Sequence, residues 1–77
     1  MTVEIAFGQV LKKYRSEKKL SQESLALKCE FDRTYISLLE RGLRNPSLGN
    51  VFILVEALDV KIEDFIKDVA LVYNTMK

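Results

Sequence analysis

The sequence predicts an all-α fold, and three observations predict it. Apolar residues recur at spacings of three and four, and no stretch alternates with the period of a strand. Short polar residues stand where helices would start, and a glycine and a proline stand where they would end. At 77 residues, with 48% apolar and 30% charged side chains, the chain suits one small soluble domain spanning residues 1–77.

The first helix is expected over about Glu4 to Lys18. Phe7, Val10, Leu11 and Tyr14 make its apolar stripe, and Lys12, Lys13, Glu17 and Lys18 should face water. Ser21 can cap a second helix by accepting a first-turn amide, and Leu25, Ala26 and Cys29 then face inward. A third helix should begin after Asp32, another capping type, and run through Arg41, with Gly42 at the position beyond its end. Asn45-Pro46 disfavours continued helix, and Ser47 can cap a fourth over roughly Leu48 to Leu58. A fifth covers about Ile62 to Asn74.

Absences narrow the function. There is no histidine, and one cysteine makes neither an internal disulfide nor a zinc site. Triads built on a histidine base are therefore unavailable, the three glycines form no phosphate loop, and no enzyme is expected. Neither cofactor nor metal is implied. No run approaches the roughly 20 apolar residues that span a membrane, and Met1-Thr2-Val3-Glu4 lacks the order of a secretory signal. A cytoplasmic setting without membrane contact is the expectation. Residues 1–46 carry nine Lys/Arg against six Asp/Glu, and residues 47–77 carry three against five. A basic front and an acidic back suit contact with phosphates on one side and with a partner on the other, although charge differences this small also arise by chance.

Two short helices joined by about three residues have the shape of a helix-turn-helix. Counting from Gln22, alanine falls at the fifth residue (Ala26), and apolar Ile36 and Leu39 fall at the fifteenth and eighteenth. A small residue at Ala26 lets the two helices cross closely, and Ile36 and Leu39 pin the third helix to the core. Arg33, Thr34, Ser37 and Arg41 are left on its outer face, as insertion into a major groove requires.

The run Gln22 to Ala26, then Arg33 to Gly42, then Arg44-Asn45-Pro46-Ser47-Leu48, resembles the Xre/Cro/C1-type helix-turn-helix family. The similarity extends from about Phe7 to Phe65 and implies a five-helix, lambda-repressor-like DNA-binding domain. Asp32 to Ser37 with Arg44-Asn45 most resembles the controller proteins of restriction-modification systems.

What the resemblance implies is specific. Arg33, Thr34, Ser37 and Tyr35 would read bases in double-stranded DNA; the Tyr35 ring either packs on DNA or lies on the protein surface. Gln22, Arg41, Arg44 and Asn45, with Lys28 as auxiliary, would hold phosphates. Arg15 and Glu40 would bridge the first and third helices, and Cys29 reads as a core residue. By resemblance the fourth and fifth helices supply a homodimer interface on a palindromic operator, with Phe52, Phe65, Ile66, Val69, Val72 and Tyr73 expected there; the last helix is more apolar than one small core needs, and packing wholly within the chain is the alternative. The family has glycine where Glu30 stands, so the turn there is expected to cost on the order of 1 kcal/mol or to differ locally. A rival reading keeps the fold and makes the chain an antitoxin or adaptor that mainly binds another protein.

Overall fold

The computed structural model describes residues 2–75, and among them the chain forms five α-helices and no strand. These are α1 (Val3–Glu17), α2 (Gln22–Cys29), α3 (Arg33–Glu40), α4 (Leu48–Leu58) and α5 (Ile62–Thr75). Three helices begin where a hydroxyl takes up an amide that has no partner inside the helix. Thr2 Oγ1 accepts from the Ile5 N–H at 3.2 Å, Ser21 Oγ from the Ser24 N–H at 3.0 Å, and Ser47 Oγ from the Asn50 N–H at 3.1 Å. Asp32 holds the same position before α3 but makes no side-chain cap bond; its carboxylate is exposed.

Four helix ends use one device. A residue with left-handed backbone follows the last turn, and the amide of the next, apolar residue bonds back to a carbonyl five residues earlier. The left-handed residues are Lys19 (φ 59°), Glu30 (φ 57°), Gly42 (φ 74°) and Asp59 (φ 57°). The closing bonds run from Leu20 to Arg15, Phe31 to Ala26, Leu43 to Leu38 and Val60 to Val55, at 2.9–3.1 Å. Glu30 thus keeps the turn expected of glycine, and the cost lies in its conformation. Replacing Glu30 with glycine is expected to stabilise the fold by about 1 kcal/mol, raising the melting temperature by roughly 4–8 °C; thermal unfolding of the variant checks this.

The core is drawn from every helix. Leu11, Leu25, Ile36, Leu39, Leu54 and Phe65 are fully buried, as are most of their neighbours. Phe65 packs on Phe7 and Tyr14, with ring centroids 5.3 and 5.6 Å away. The α1 stripe is buried as its spacing predicts, and Lys12, Lys13, Glu17 and Lys18 are exposed. Cys29 lies in the core, and burial pushes its thiol up, so it is a packing residue. At the α1–α5 seam the Tyr14 hydroxyl donates to Asp68, which Lys13 also approaches at 3.5 Å. That carboxylate holds the phenol proton and pushes Tyr14 up to about 12, while the same bond lowers Asp68 below its usual range.

Two interface expectations are corrected. Phe65 is 0% exposed and Val69 only 8%, so both are spent on the chain's own core and neither offers a free surface. The reason is their register: Phe65, Val69 and Val72 share the α5 face turned to α1, whereas Ile66 lies off it. No helix among the described residues is long and apolar enough to cross a membrane.

Candidate nucleic-acid interface

Ile36 and Leu39, both 0% exposed, anchor α3 by one face, and Ala26 beneath it is nearly as buried. The opposite face is turned outward. Arg33 and Thr34 are exposed at its first turn, Ser37 is half-buried one turn later, and Arg41 is exposed at its end. Arg44 and Asn45, in the connection to α4, and Lys28, in the last turn of α2, are exposed as well. The predicted base-facing and phosphate-facing groups therefore fall on and around one short helix. Its four flanking cations, Lys28, Arg33, Arg41 and Arg44, are all open to solvent.

The orientation of α3 is fixed by a polar clamp at its inner end. Arg15 of α1 donates to Glu40 through Nε (2.5 Å to Oε2) and Nη2 (3.0 Å to Oε1), and its Nη1 donates to the Leu20 carbonyl at 2.8 Å. Gln22 of α2 donates from Nε2 to Glu40 Oε1 at 3.0 Å. The Arg15 side chain is 13% exposed and that of Glu40 only 4%. The bond to Glu40 raises the guanidinium further above its ordinary value, against the opposing effect of burial. The expected Arg15–Glu40 bridge is therefore present, and one carboxylate ties α1, α2 and α3 together. Gln22 is half-buried and keeps a second amide hydrogen beyond the one given to Glu40.

Tyr35 resolves to neither of its two sequence-based alternatives in full. Its ring is half-buried, edge-on to Phe31 with centroids 5.1 Å apart, and its hydroxyl accepts from Asn50 Nδ2 at 3.0 Å. The ring thus packs on the protein while one edge opens on a cleft of about 460 Å³ lined by Thr34, Tyr35, Arg44 and Asn50, with Glu30 and Asp32 at its rim. Sequence reasoning missed Asn50 and Phe31. Phe31 stands four residues before Tyr35, a local spacing that could have found it, whereas Asn50 reaches Tyr35 from a different helix and no local spacing points to it.

Of the expected dimer residues, Phe52 (45% exposed) and Ile66 (46%) stand free on α4 and α5, whereas Val72 and Tyr73 are half-buried against the core. Ile66 also borders an apolar cleft of about 350 Å³ with Val3, Pro46 and Ala70. Ile53 and Leu71 add exposed apolar area on the same two helices. Among the described residues no group of three or more metal-binding side chains occurs.

Comparison with known proteins bears on this geometry. Residues 11–65 match the family model described as helix-turn-helix. The control protein C.BamHI of Bacillus amyloliquefaciens is 43% identical over 65 residues, covering 83% of this chain and 80% of that relative. The control protein C.MunI of a Mycoplasma species is 43% identical over 68 residues, covering 87% of this chain and 92% of its own. Among solved structures, the restriction-modification controller protein C.AhdI from Aeromonas hydrophila superposes with a TM-score of 0.78 at 44% identity, over 80% of this chain and 94% of that one.

Proposed function

This chain belongs to the helix-turn-helix family, as a DNA-binding regulator with controller-protein relatives, and from that premise we propose that it reads a palindromic operator as a homodimer. The operator would lie in a restriction-modification system, as the description of the C.AhdI structure supports. The observation that carries the reading is the clamped α3: a helix held rigidly from below, with Arg33 and Thr34 free at its leading end. Arginine can bond both O6 and N7 of guanine, and threonine can offer its methyl to thymine. Arg41 and Gln22 at the far end of α3, with Arg44 and Asn45 in the connection to α4, would hold phosphates, fixing register without reading sequence. Lys28 adds an auxiliary contact. The free apolar residues of α4 and α5, Phe52 and Ile66 foremost, would join two copies with their recognition helices about 34 Å apart.

The roles of the two arginines separate in experiment. Arg33→Ala is expected to cost roughly 1–3 kcal/mol on the preferred duplex and to relax base choice at one position. Arg44→Ala should instead weaken all sequences alike and flatten the dependence of affinity on salt. Titration of wild type and both variants against preferred and mixed-sequence duplexes, across salt, measures both. Equal loss on every sequence from Arg33→Ala contradicts its role as a base reader. Absence of any salt-sensitive binding by the wild type favours the antitoxin or adaptor reading instead.

A further inference from the structure

We infer that Asn50 of α4 is a positioning residue for recognition: it orients the Tyr35 hydroxyl, so that Tyr35 presents its O–H to DNA as a hydrogen-bond donor. The inference rests on the DNA reading above and adds to it a residue outside the helix-turn-helix. A phenol oxygen both donates one hydrogen bond and accepts others, so an unrestrained tyrosine can offer either to a ligand. Here one acceptance is already supplied by the protein, which biases the hydroxyl toward donating outward. Asn50 Nδ2 donates to the hydroxyl at 3.0 Å, which leaves the O–H to turn away from Asn50, toward the cleft shared with Thr34 and Arg44.

The ring cannot easily evade this arrangement. Phe31 lies edge-on to it at 5.1 Å, and Phe31 is itself held by the backbone bond to Ala26 that closes α2. Asn50 is anchored too, since its N–H donates to Ser47 Oγ in the first turn of α4. Both partners are therefore fixed by their backbones before DNA arrives. An outward O–H suits acceptors: a phosphate oxygen, O6 or N7 of guanine, N7 of adenine, or O4 of thymine. It does not suit the exocyclic amines of adenine or cytosine, which need an acceptor. Asn50 would thus shape base preference without touching a base.

A double-mutant cycle tests this on two probes, the duplex enriched by wild type from a randomised pool and a mixed-sequence duplex. Asn50→Asp replaces the donor with an acceptor of the same shape, so the Tyr35 O–H turns inward. An acid in the first turn of α4 suits the helix dipole, and thermal unfolding verifies that the fold is kept. On the enriched duplex, Tyr35→Phe and Asn50→Asp should each weaken binding about three- to tenfold, the range of one ordinary hydrogen bond. In the Tyr35→Phe background, Asn50→Asp should cost less than it does in the wild type, keeping only the loss caused by its new charge. Asn50→Ala, which adds no charge and leaves the hydroxyl free to turn, should show a smaller coupling of the same sign. Losses that simply multiply, with Asn50→Asp costing as much without the hydroxyl as with it, overturn the inference. A wild type that enriches no duplex overturns the DNA reading first, and this inference falls with it.

Discussion

Replacing Glu40 with alanine is expected to destabilise the protein by about 3–5 kcal/mol, because it strands a guanidinium that has little access to water. Arg15 is only 13% exposed, and two of its three hydrogen bonds end on Glu40. Removal of the carboxylate also leaves the Gln22 amide without its acceptor. A domain of this size shifts its melting temperature by several degrees per kcal/mol, so the fall should be at least about 12 °C. A small domain has only some 5–15 kcal/mol to lose, and a substantial unfolded fraction near physiological temperature follows. The companion variant decides the mechanism. Exchange of Arg15 and Glu40 together for apolar residues of similar size removes both charges and should recover most of the loss. If the double variant is as unstable as Glu40→Ala, the pair itself is strongly favourable, and stranding is not the cause.

Gly8→Ala should be destabilising by about 2 kcal/mol, and its sign is informative. Considered as a helix residue alone, alanine is better than glycine by about 1 kcal/mol, so the exchange ought to help. Tertiary structure reverses that. A Cβ on Gly8 would lie 2.4 Å from the Leu39 carbonyl oxygen and 2.6 Å from that of Glu40. Both are backbone atoms near the end of α3, and no side chain can swing away to make room. Overpacking of this kind costs 1–3 kcal/mol and at times more, with the upper end expected against rigid backbone. The helices α1 and α3 must separate, and the separation displaces the recognition helix along with its clamp. Denaturant unfolding gives the stability, and affinity for the preferred duplex should fall further than partial unfolding alone explains. Unchanged or raised stability contradicts the close approach of α1 to α3.

Helix limits were legible from sequence because the signals for them are local. Ser21 and Ser47 take up the amides of residues three positions on, and Gly42 carries the left-handed turn its position required. The outer face of α3 was legible for the same reason, since spacing puts Thr34, Ser37 and Arg41 on the side away from Ile36 and Leu39, with Arg33 at its edge. The Arg15–Glu40 bridge came from family resemblance, and nothing in the two residues' own neighbourhoods specifies it. What escaped were pairings between distant segments. Gly8 looked like one of three scattered glycines, yet it sits where two backbones touch. Tyr14 and Asp68 are 54 positions apart, and Asn50 reaches Tyr35 from another helix. The apolar excess of α5 was real, but its assignment was too coarse. Residues 65, 69 and 72 form a single helical stripe, and dividing the helix by that spacing would have kept Phe65 and Val69 in the core and Ile66 outside it.

The most direct measurement is selection of bound sequences from randomised duplex DNA by the purified protein. A two-fold symmetric motif is expected, with half-site centres roughly one helical turn, about 10 base pairs, apart. Arg33→Ala should lose preference at one position of each half-site. Recovery of no motif, or of an asymmetric one, from a protein shown to be folded would contradict a dimer that reads an operator through α3.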